Sequence, residues 1–326
     1  METTNRILSE KQQLAARIRE NVSTVIVGKE KVLTLMVTAM VAGGHVLLQD
    51  VPGTGKTVMA KALAGSVEAE FSRIQFTPDL LPSDVVGLNY YNQKAGDFVL
   101  KKGPVFGNIV LADEINRATP RTQSSLLECM EERQVTIDGL SHKLEMPFLV
   151  IATQNPVETA GTFPLPEAQL DRFLMKLSMG LPKKEEEIAI MERFLKDTYM
   201  RDRTKEVHPV CSCQDLVMMQ QEAAEVFVHK QMIHYIAELV EATRKNPAIK
   251  LGVSPRGTLA MLRTAKAYAY VCGRDYVVPE DIKALAVPVF AHRLVLASGF
   301  GGEAEKQKLV MEILSKTEVP TEEWRK

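Results

Sequence analysis

The sequence predicts an α/β fold in two parts: a layered domain on a mostly parallel sheet, then a domain built from helices alone. Three observations predict it. Up to Leu177, short apolar runs alternate with helix-compatible stretches, the pattern of parallel strands joined by right-handed crossovers. One such run, Val46-Leu47-Leu48, stops at a glycine-rich turn and is followed by a helical stretch from Thr57 to Val67. From Pro182 onward the strand signals give way to helices, which puts a domain boundary near Leu181-Pro182 and divides the chain into 1–181 and 182–326.

The totals narrow the function classes. A chain of 326 residues, 45% hydrophobic and 25% charged, is long enough for two domains with a sizeable core. Forty basic side chains against 41 acidic ones give a net charge of −1, so no global field draws the chain to nucleic acid or an anionic membrane. No apolar run approaches the ~20 residues of a membrane span. The first twenty or so residues are polar and mixed in charge, without the apolar core of a signal peptide, and the expected location is the cytoplasm. Cys211 and Cys213 stand close together, with His208 the only nearby helper, while Cys129 and Cys272 stand alone; this spacing suits structural thiols better than a metal site.

Taken in order, residues 6–22 read as an amphipathic helix marked by Ile7, Leu14 and Ile18, and a link through Ile26-Val27-Gly28-Lys29-Glu30 leads to a second helix from Lys31 to Ala42. After the glycine-rich turn and its helix, Phe71, Ile74 and Phe76 mark a strand. Asp79 to Asp84 breaks the pattern, with Ser83 or Asp84 suited to cap a short turn. Two hairpins follow: Gly87 to Gly103, and Gln134 to Leu144 turning at Asp138-Gly139. Between them lie a buried strand, Ile109 to Ala112, and a helix that starts at Thr119-Pro120 and carries Leu126, Leu127 and Met130. Phe148 to Ala152 and Phe173 to Leu177 complete the strands, separated by a helix through Glu167 to Asp171. Helices are then expected at about 183–197, 213–224, 228–244, 255–272, 279–291 and 303–315. Their methionines (Met218, Met219, Met232, Met261) suit core filling.

The glycine-rich turn reads Asp50-Val51-Pro52-Gly53-Thr54-Gly55-Lys56-Thr57-Val58. A strand, such a turn and a helix start together make a P-loop, in which successive main-chain N–H groups and the helix N-terminus cradle phosphates. Gly53 and Gly55 allow positive φ and close approach. Lys56 is placed to reach the β- and γ-phosphates, and the Thr57 hydroxyl to bind Mg²⁺. Asp50 stands where the first glycine of the usual motif belongs. Asp113-Glu114 closes an apolar strand, the position where α/β sheets gather ligands. Its carboxylates suit Mg²⁺ binding (Asp113) and orientation and deprotonation of an attacking water (Glu114). Asn155 ends the next strand; it is either an amide aimed at the γ-phosphate or water, or the start of an Asn-Pro turn.

With the P-loop, four further stretches appear in order: Asp113-Glu114-Ile115-Asn116-Arg117-Ala118, Ala152-Thr153-Gln154-Asn155-Pro156, Pro166 through Phe173, and Ser254-Pro255-Arg256. Together they resemble an AAA+ ATPase of the MoxR family over nearly the whole chain. The resemblance implies an αβα core with two hairpin insertions, an all-α lid, ATP/ADP and Mg²⁺ as ligands, and self-assembly into a ring, typically a hexamer. It makes Asn155 the sensor-1 residue, Arg256 sensor 2, and Arg172 the arginine finger reaching the next subunit, with Val27 and Gly28 beside the adenine. Arg117, Arg121 and Arg133 compete for the interface role, being on the segment after Asp113-Glu114. Tyr90, Tyr91 and Phe98 either grip a client in the pore or simply stabilise their hairpin.

The expected function is an ATP-hydrolysing motor that remodels or matures protein clients. The resemblance adds partners bearing a von Willebrand factor A domain, and work in metal or cofactor insertion. A nucleic-acid motor and a nucleotide-gated scaffold of little turnover are the alternatives. The neutral charge balance counts against the first, and Glu114 against the second.

Overall fold

In a parallel sheet covered on both sides, alternate residues of each strand feed two separate cores, and the strands of this chain are apolar at both sets of positions. The computed structural model describes residues 9–51, 53–94, 96–156, 161–196, 203–297 and 302–321. Pro52, Ala95 and the start of the first expected helix (residues 6–8) therefore lie outside the described residues. The first half runs α1 (Glu10–Ser23), α2 (Glu30–Val41), β1 (Val46–Gln49), α3 (Lys56–Ser66), β2 (Phe71–Gln75), α4 (Pro82–Val86), β3 (Gly87–Asn92), β4 (Asp97–Lys102) and β5 (Ile109–Asp113). It continues with α5 (Pro120–Glu132), β6 (Gln134–Ile137), β7 (Leu140–Lys143), β8 (Leu149–Gln154), α6 (Glu167–Leu170) and β9 (Met175–Leu177).

Five strands form one parallel sheet in the order β2-β5-β8-β1-β9. Val46, Leu48, Leu111 and Ile151 face a core shared with α1, α2 and α3, while Leu47, Val110, Val150 and Ala152 face one shared with α5 and the second hairpin. This is the predicted αβα sandwich. Both hairpins form: β3 pairs with β4, and β6 with β7. Asp138 and Gly139 turn the second with φ of 49° and 81°, the two positive values such a tight turn requires. Asn89 of the first donates to Asp138 of the second at 2.9 Å, so the insertions lean on each other.

The remaining helices are α7 (Lys184–Lys196), α8 (Cys213–Ala224), α9 (Lys230–Lys245), α10 (Pro255–Val271), α11 (Pro279–Phe290) and α12 (Glu303–Lys316). This helical lid also holds a small antiparallel pair, β10 (Ile249–Leu251) with β11 (Val295–Leu296), which the sequence reading did not include. Met219, Met232 and Met261 are fully buried in the core that the lid shares with α1 to α3, as the core-filling reading expects. None of the described helices is long and apolar enough to cross a membrane.

The lid docks at one end of the sheet. Helix α10 packs on α2, and Gly43-Gly44-His45, just before β1, lies against α10. His45 is enclosed there: its Nε2 hydrogen donates to the Met130 carbonyl (3.0 Å) and its Nδ1 accepts from the Val150 N–H (2.9 Å), which fixes a neutral tautomer. Burial pushes its pKa down to about 3 and lowers that of His292 well below the usual imidazole value.

The unfolded chain takes up protons on these imidazoles below about pH 6.5 and the folded chain does not, so stability is full above that pH and falls as the solution is acidified toward pH 3. Urea unfolding between about pH 7 and pH 5 is expected to lose up to about 1.4 kcal/mol per pH unit for each of the two histidines. A flat profile over that range would show that they protonate in place without penalty.

Candidate functional site

Strand β8 lies between β1 and β5, so the C-terminal ends of three adjacent strands carry the P-loop, Asn155 and Asp113-Glu114 to one edge of the sheet. At a strand spacing of about 4.8 Å, the acidic pair sits ~10 Å from the start of the P-loop. Gly53 and Gly55 adopt φ of +83° and +88°, with nothing within 4 Å of a Cβ built at Gly53 and only a methionine methyl 3.9 Å from one at Gly55. Gly55 opens α3 without any side-chain cap, so the first N–H groups of that helix point into the loop. Among the described residues, the Lys56 ammonium rests on two main-chain carbonyls, Asp50 at 3.0 Å and Val51 at 3.3 Å, and no carboxylate competes for it. Open glycines, a free helix start and an ammonium held only by main-chain carbonyls fit a polyphosphate. Thr57 begins the same helix beside Lys56, and Val58 is exposed.

Asp50 is more than a departure from the motif. Its side chain is buried and accepts three hydrogen bonds, from Ser178 Oγ (2.7 Å), the Met179 N–H (2.7 Å) and the Gly180 N–H (3.0 Å). The start of the P-loop is thereby tied to the segment that follows β9.

The acidic pair is set by a residue that the sequence reading passed over. Thr153 is fully buried at the end of β8; its hydroxyl donates to Asp113 Oδ1 (2.7 Å) and accepts the Glu114 N–H (2.8 Å). One hydroxyl thus fixes both acids and holds Glu114 in a left-handed conformation, φ 57° and ψ 50°. Arg73 pairs with the other Asp113 oxygen at 2.7 Å. Gln75 and Arg117 hold the Glu114 carboxylate at 3.0 and 3.1 Å. The signal for Thr153 was its place in Ala152-Thr153-Gln154-Asn155, level with Asp113 on the neighbouring strand, since Ala152 pairs with Ala112. Asn155 is buried at the same edge. A single carboxylate with a threonine hydroxyl fits Mg²⁺, which keeps most of its waters, and no cluster of three or more metal-ligating acids, histidines or cysteines occurs among the described residues.

Val27 and Gly28 lie in the α1–α2 link beside the start of α7. A Cβ on Gly28, whose φ is +66°, would overlap the Glu186 carboxylate. Lys29 donates to the Leu181 carbonyl (2.9 Å) and pairs with Glu186 (3.4 Å).

Arg172 and Arg256 are not brought to the P-loop of their own chain. Both line a cavity of ≈ 450 Å³ at the opposite end of β1, walled by Gly43, Gly44 and His45. A four-residue strand separates the two ends by roughly 13 Å before the loops are counted. Arg172 is there because it precedes β9, which runs parallel to β1, and Arg256 because the docking of α10 on α2 carries it behind the sheet. Arg172 donates to the Leu127 carbonyl at 2.7 Å, and Arg256 pairs with Glu131. Arg133, Arg263 and Arg293 join them, so five guanidiniums meet two carboxylates, Glu131 and Asp171. Of the competing arginines, Arg133 therefore belongs to this cavity, Arg117 to Glu114 of its own chain, and Arg121 is exposed. Asp171 accepts from Arg293 Nε (2.7 Å) and from Ser254 Oγ (2.8 Å), the cap of α10 two residues before Arg256.

Two substitutions test these positions. Thr153→Val is expected to lower nucleotide turnover at least ~10-fold while leaving nucleotide binding within ~3-fold, because it frees the acids and spares the P-loop; one lost positioning hydrogen bond of about 1.5 kcal/mol corresponds to that factor. Asp50→Ala is expected to cost about 2–4 kcal/mol in urea unfolding, since three donors, the buried Met179 N–H among them, lose a buried charged acceptor. Unchanged unfolding would show that Asp50 is a passive substitution.

Residues 45–175 match the profile of the ATPase family associated with various cellular activities (AAA), and residues 241–314 that of an AAA lid domain. The chain is 49% identical to the uncharacterised protein YeaC of Bacillus subtilis, over 95% of this chain and 96% of that one. It is 40% identical to Chaperone MoxR1 of Mycobacterium tuberculosis, over 92% of this chain and 80% of that one. A proposed ATPase from Cytophaga hutchinsonii, solved by crystallography, superposes with a TM-score of 0.86 at 40% identity, covering 95% of this chain and 96% of the other. With the P-loop, the Thr153-anchored acidic pair and the docked helical lid on one chain, this protein belongs to the MoxR family of AAA+ ATPases.

Proposed function

We propose that the protein hydrolyses ATP at sites built jointly by two copies, arranged head to tail in a closed ring. One observation carries this reading: each chain holds a phosphate cradle with its acids at one end of the sheet and a cluster of arginines at the other. Neither half suffices alone. A head-to-tail contact joins the P-loop of one copy to the arginine cavity of the next, and such heterologous contacts close into rings when the rotation permits. The family resemblance sets the expectation at six copies.

Mg²⁺-bound ATP supplies the phosphoanhydride and a polarising dication. The rest falls to the chain's own groups. Main-chain N–H groups from Gly53 to Thr57 and the Lys56 ammonium hold the phosphates, while Thr57 and Asp113 hold the metal. Glu114 orients water and accepts its proton at the carboxylate, kept in place by Thr153, and Asn155 donates its amide at the γ-phosphate side. Val27 and Gly28 border the base. Arg172 and Arg256, contributed by the neighbouring copy, stabilise charge on the transferring group; a fixed guanidinium suits this task because it is always charged and forks onto phosphate oxygens.

The work done with this energy is remodelling of a protein client. Tyr91 and Phe98 form an edge-to-face pair across the first hairpin at 5.5 Å, and both remain largely exposed, so the pair stabilises the hairpin and still presents an aromatic face for contact. The name of the mycobacterial relative, a chaperone, agrees with this reading.

Specific activity is expected to rise with protein concentration and to collapse on dilution. Arg172→Ala and Arg256→Ala should each lower the maximal rate by ~10³-fold while ATP still binds. Mixing Lys56→Ala chains with Arg172→Ala chains should recover activity that neither has alone, because half of the mixed interfaces are intact. A specific rate unchanged on dilution, or mixtures as inactive as their parts, would refute the two-chain site.

A further inference from the structure

Helix α7 turns Glu186 and Arg193 toward its own chain and leaves its apolar side chains outside. Its first turn is acidic (Glu185, Glu186, Glu187), and the side facing its own chain consists of Glu186 against Lys29, the small Ala189, and Arg193, which donates to the Thr24 carbonyl at 3.0 Å. At 100° per residue, Ile188, Met191 and Leu195 fall on one stripe and Ile190 and Phe194 on the next. Together they cover about half of the circumference, and all of it is outside. Phe194 is 58% exposed and Leu195 81%. An amphipathic helix normally buries this arc against its own fold, and a contiguous exposed apolar patch of this kind marks a contact surface.

A complementary groove lies at the other end of the molecule. Between α2, α8 and α10, a groove of ≈ 400 Å³ is lined by Val41, Ala42, Ala223, Leu262 and Ala267, with Leu259 on its wall at 66% exposure. Arg263 and Lys266 form its charged edge. Leu259 and Arg263 also line the arginine cavity, so cavity and groove are continuous.

The two surfaces carry the same sequence of chemistries. On one, the P-loop is tied through Asp50 to Gly180, α7 then begins with its acidic turn, and the apolar arc follows. On the other, the arginine cavity gives way to Arg263 and Lys266, and then to the apolar groove. Phosphate faces guanidinium, carboxylate faces ammonium and guanidinium, and apolar helix faces apolar groove. We propose that α7 of one copy lies in the groove between α2, α8 and α10 of the next. The proposal rests on the two-chain site described above and names the contact that holds that site together. The occupant is a second copy of this chain, because only the neighbour that offers its arginine cavity to the P-loop also brings the adjoining groove to α7.

Cross-linking of mixed chains tests it. Cys213 and Cys272, the cysteines that are not buried, are first replaced (Cys213→Ala, Cys272→Ser). In that background, Leu195→Cys is placed in one full-length chain and Leu259→Cys in another, both also carrying Glu114→Gln to retain ATP. With Mg²⁺, ATP and a short bis-maleimide, a covalent dimer is expected in the mixture at least ten times more abundant than in either chain alone. Assembly is followed separately by sedimentation. An assembly that forms without this cross-link overturns the α7 contact and leaves the two-chain site standing; no assembly at any concentration overturns both. As a second measurement, Phe194→Glu with Leu195→Glu is expected to raise the concentration needed for assembly at least tenfold without moving the thermal midpoint of the dilute chain, because both side chains face solvent. A doubly charged variant that assembles like its parent would refute the contact.

Discussion

A parallel sheet has two chemically different ends, and the organisation of this molecule follows from that constraint. The C-terminal ends of β1, β8 and β5 converge as a binding edge because all three strands run the same way. The N-terminal end of β1 is closed by the lid, through α10 on α2. Strand β9 joins the two, with a carboxylate tie at each of its ends. Asp50 grips the Ser178–Gly180 segment beyond it, and Asp171, before it, grips Arg293 and the cap of α10. Arg293 adds donations to the Phe173 and Leu174 carbonyls, so this buried cation is satisfied by main chain as well as by its carboxylate. The P-loop and the arginine cavity are therefore parts of one rigid frame, held apart by the length of a strand.

Within the binding edge, the local cost is concentrated at Glu114. A left-handed conformation is unfavourable by about 1–2 kcal/mol for a residue with a side chain. The Thr153 hydroxyl offsets it by accepting the Glu114 N–H while donating to Asp113. A buried hydroxyl with both functions used is rigid, and rigidity suits the water-aiming role proposed for Glu114. The Glu114 carboxylate, in contrast, is held from the side by Gln75 and Arg117, both on the protein surface. Thr153 thus anchors Glu114 through its backbone and Asp113 through its carboxylate.

Most of the fold was legible because its elements are long enough to show a period. The αβα core, both hairpins and the lid helices appear where alternation and helical spacing put them. The pair β10–β11 was not legible, since strands of three and two residues carry no periodicity. In the site, the P-loop and Asp113-Glu114 could be read from local pattern, being contiguous in sequence. Thr153 and Asp50 could not, because their roles depend on partners 40 and about 130 positions away. Arg172 and Arg256 were recognisable by motif. The position of Arg256 at the far end of β1 was not, because it follows from how the lid docks, a long-range packing choice that no local run of residues encodes; Arg172 stands there because it precedes β9, which runs parallel to β1.

That position explains why nucleotide and assembly should be linked. Arg133 and Arg263 both donate to the Gly43 carbonyl, at 3.1 and 2.9 Å, so two guanidiniums converge on one oxygen. Burial and the neighbouring Arg133 pull the pKa of Arg263 below the usual guanidinium value, although such a group stays charged in practice. A cavity with more guanidiniums than carboxylates is electrostatically unfavourable in a single chain and becomes favourable when a polyanion enters. In the proposed ring the polyanion arrives on the adjoining copy, seated in its P-loop. By linkage, whatever binds the joined state more tightly than the separate chains drives the joining. In that proposal, loss of the γ-phosphate would remove charge from the cavity and weaken the same contact, so that hydrolysis would be felt first at the subunit boundary.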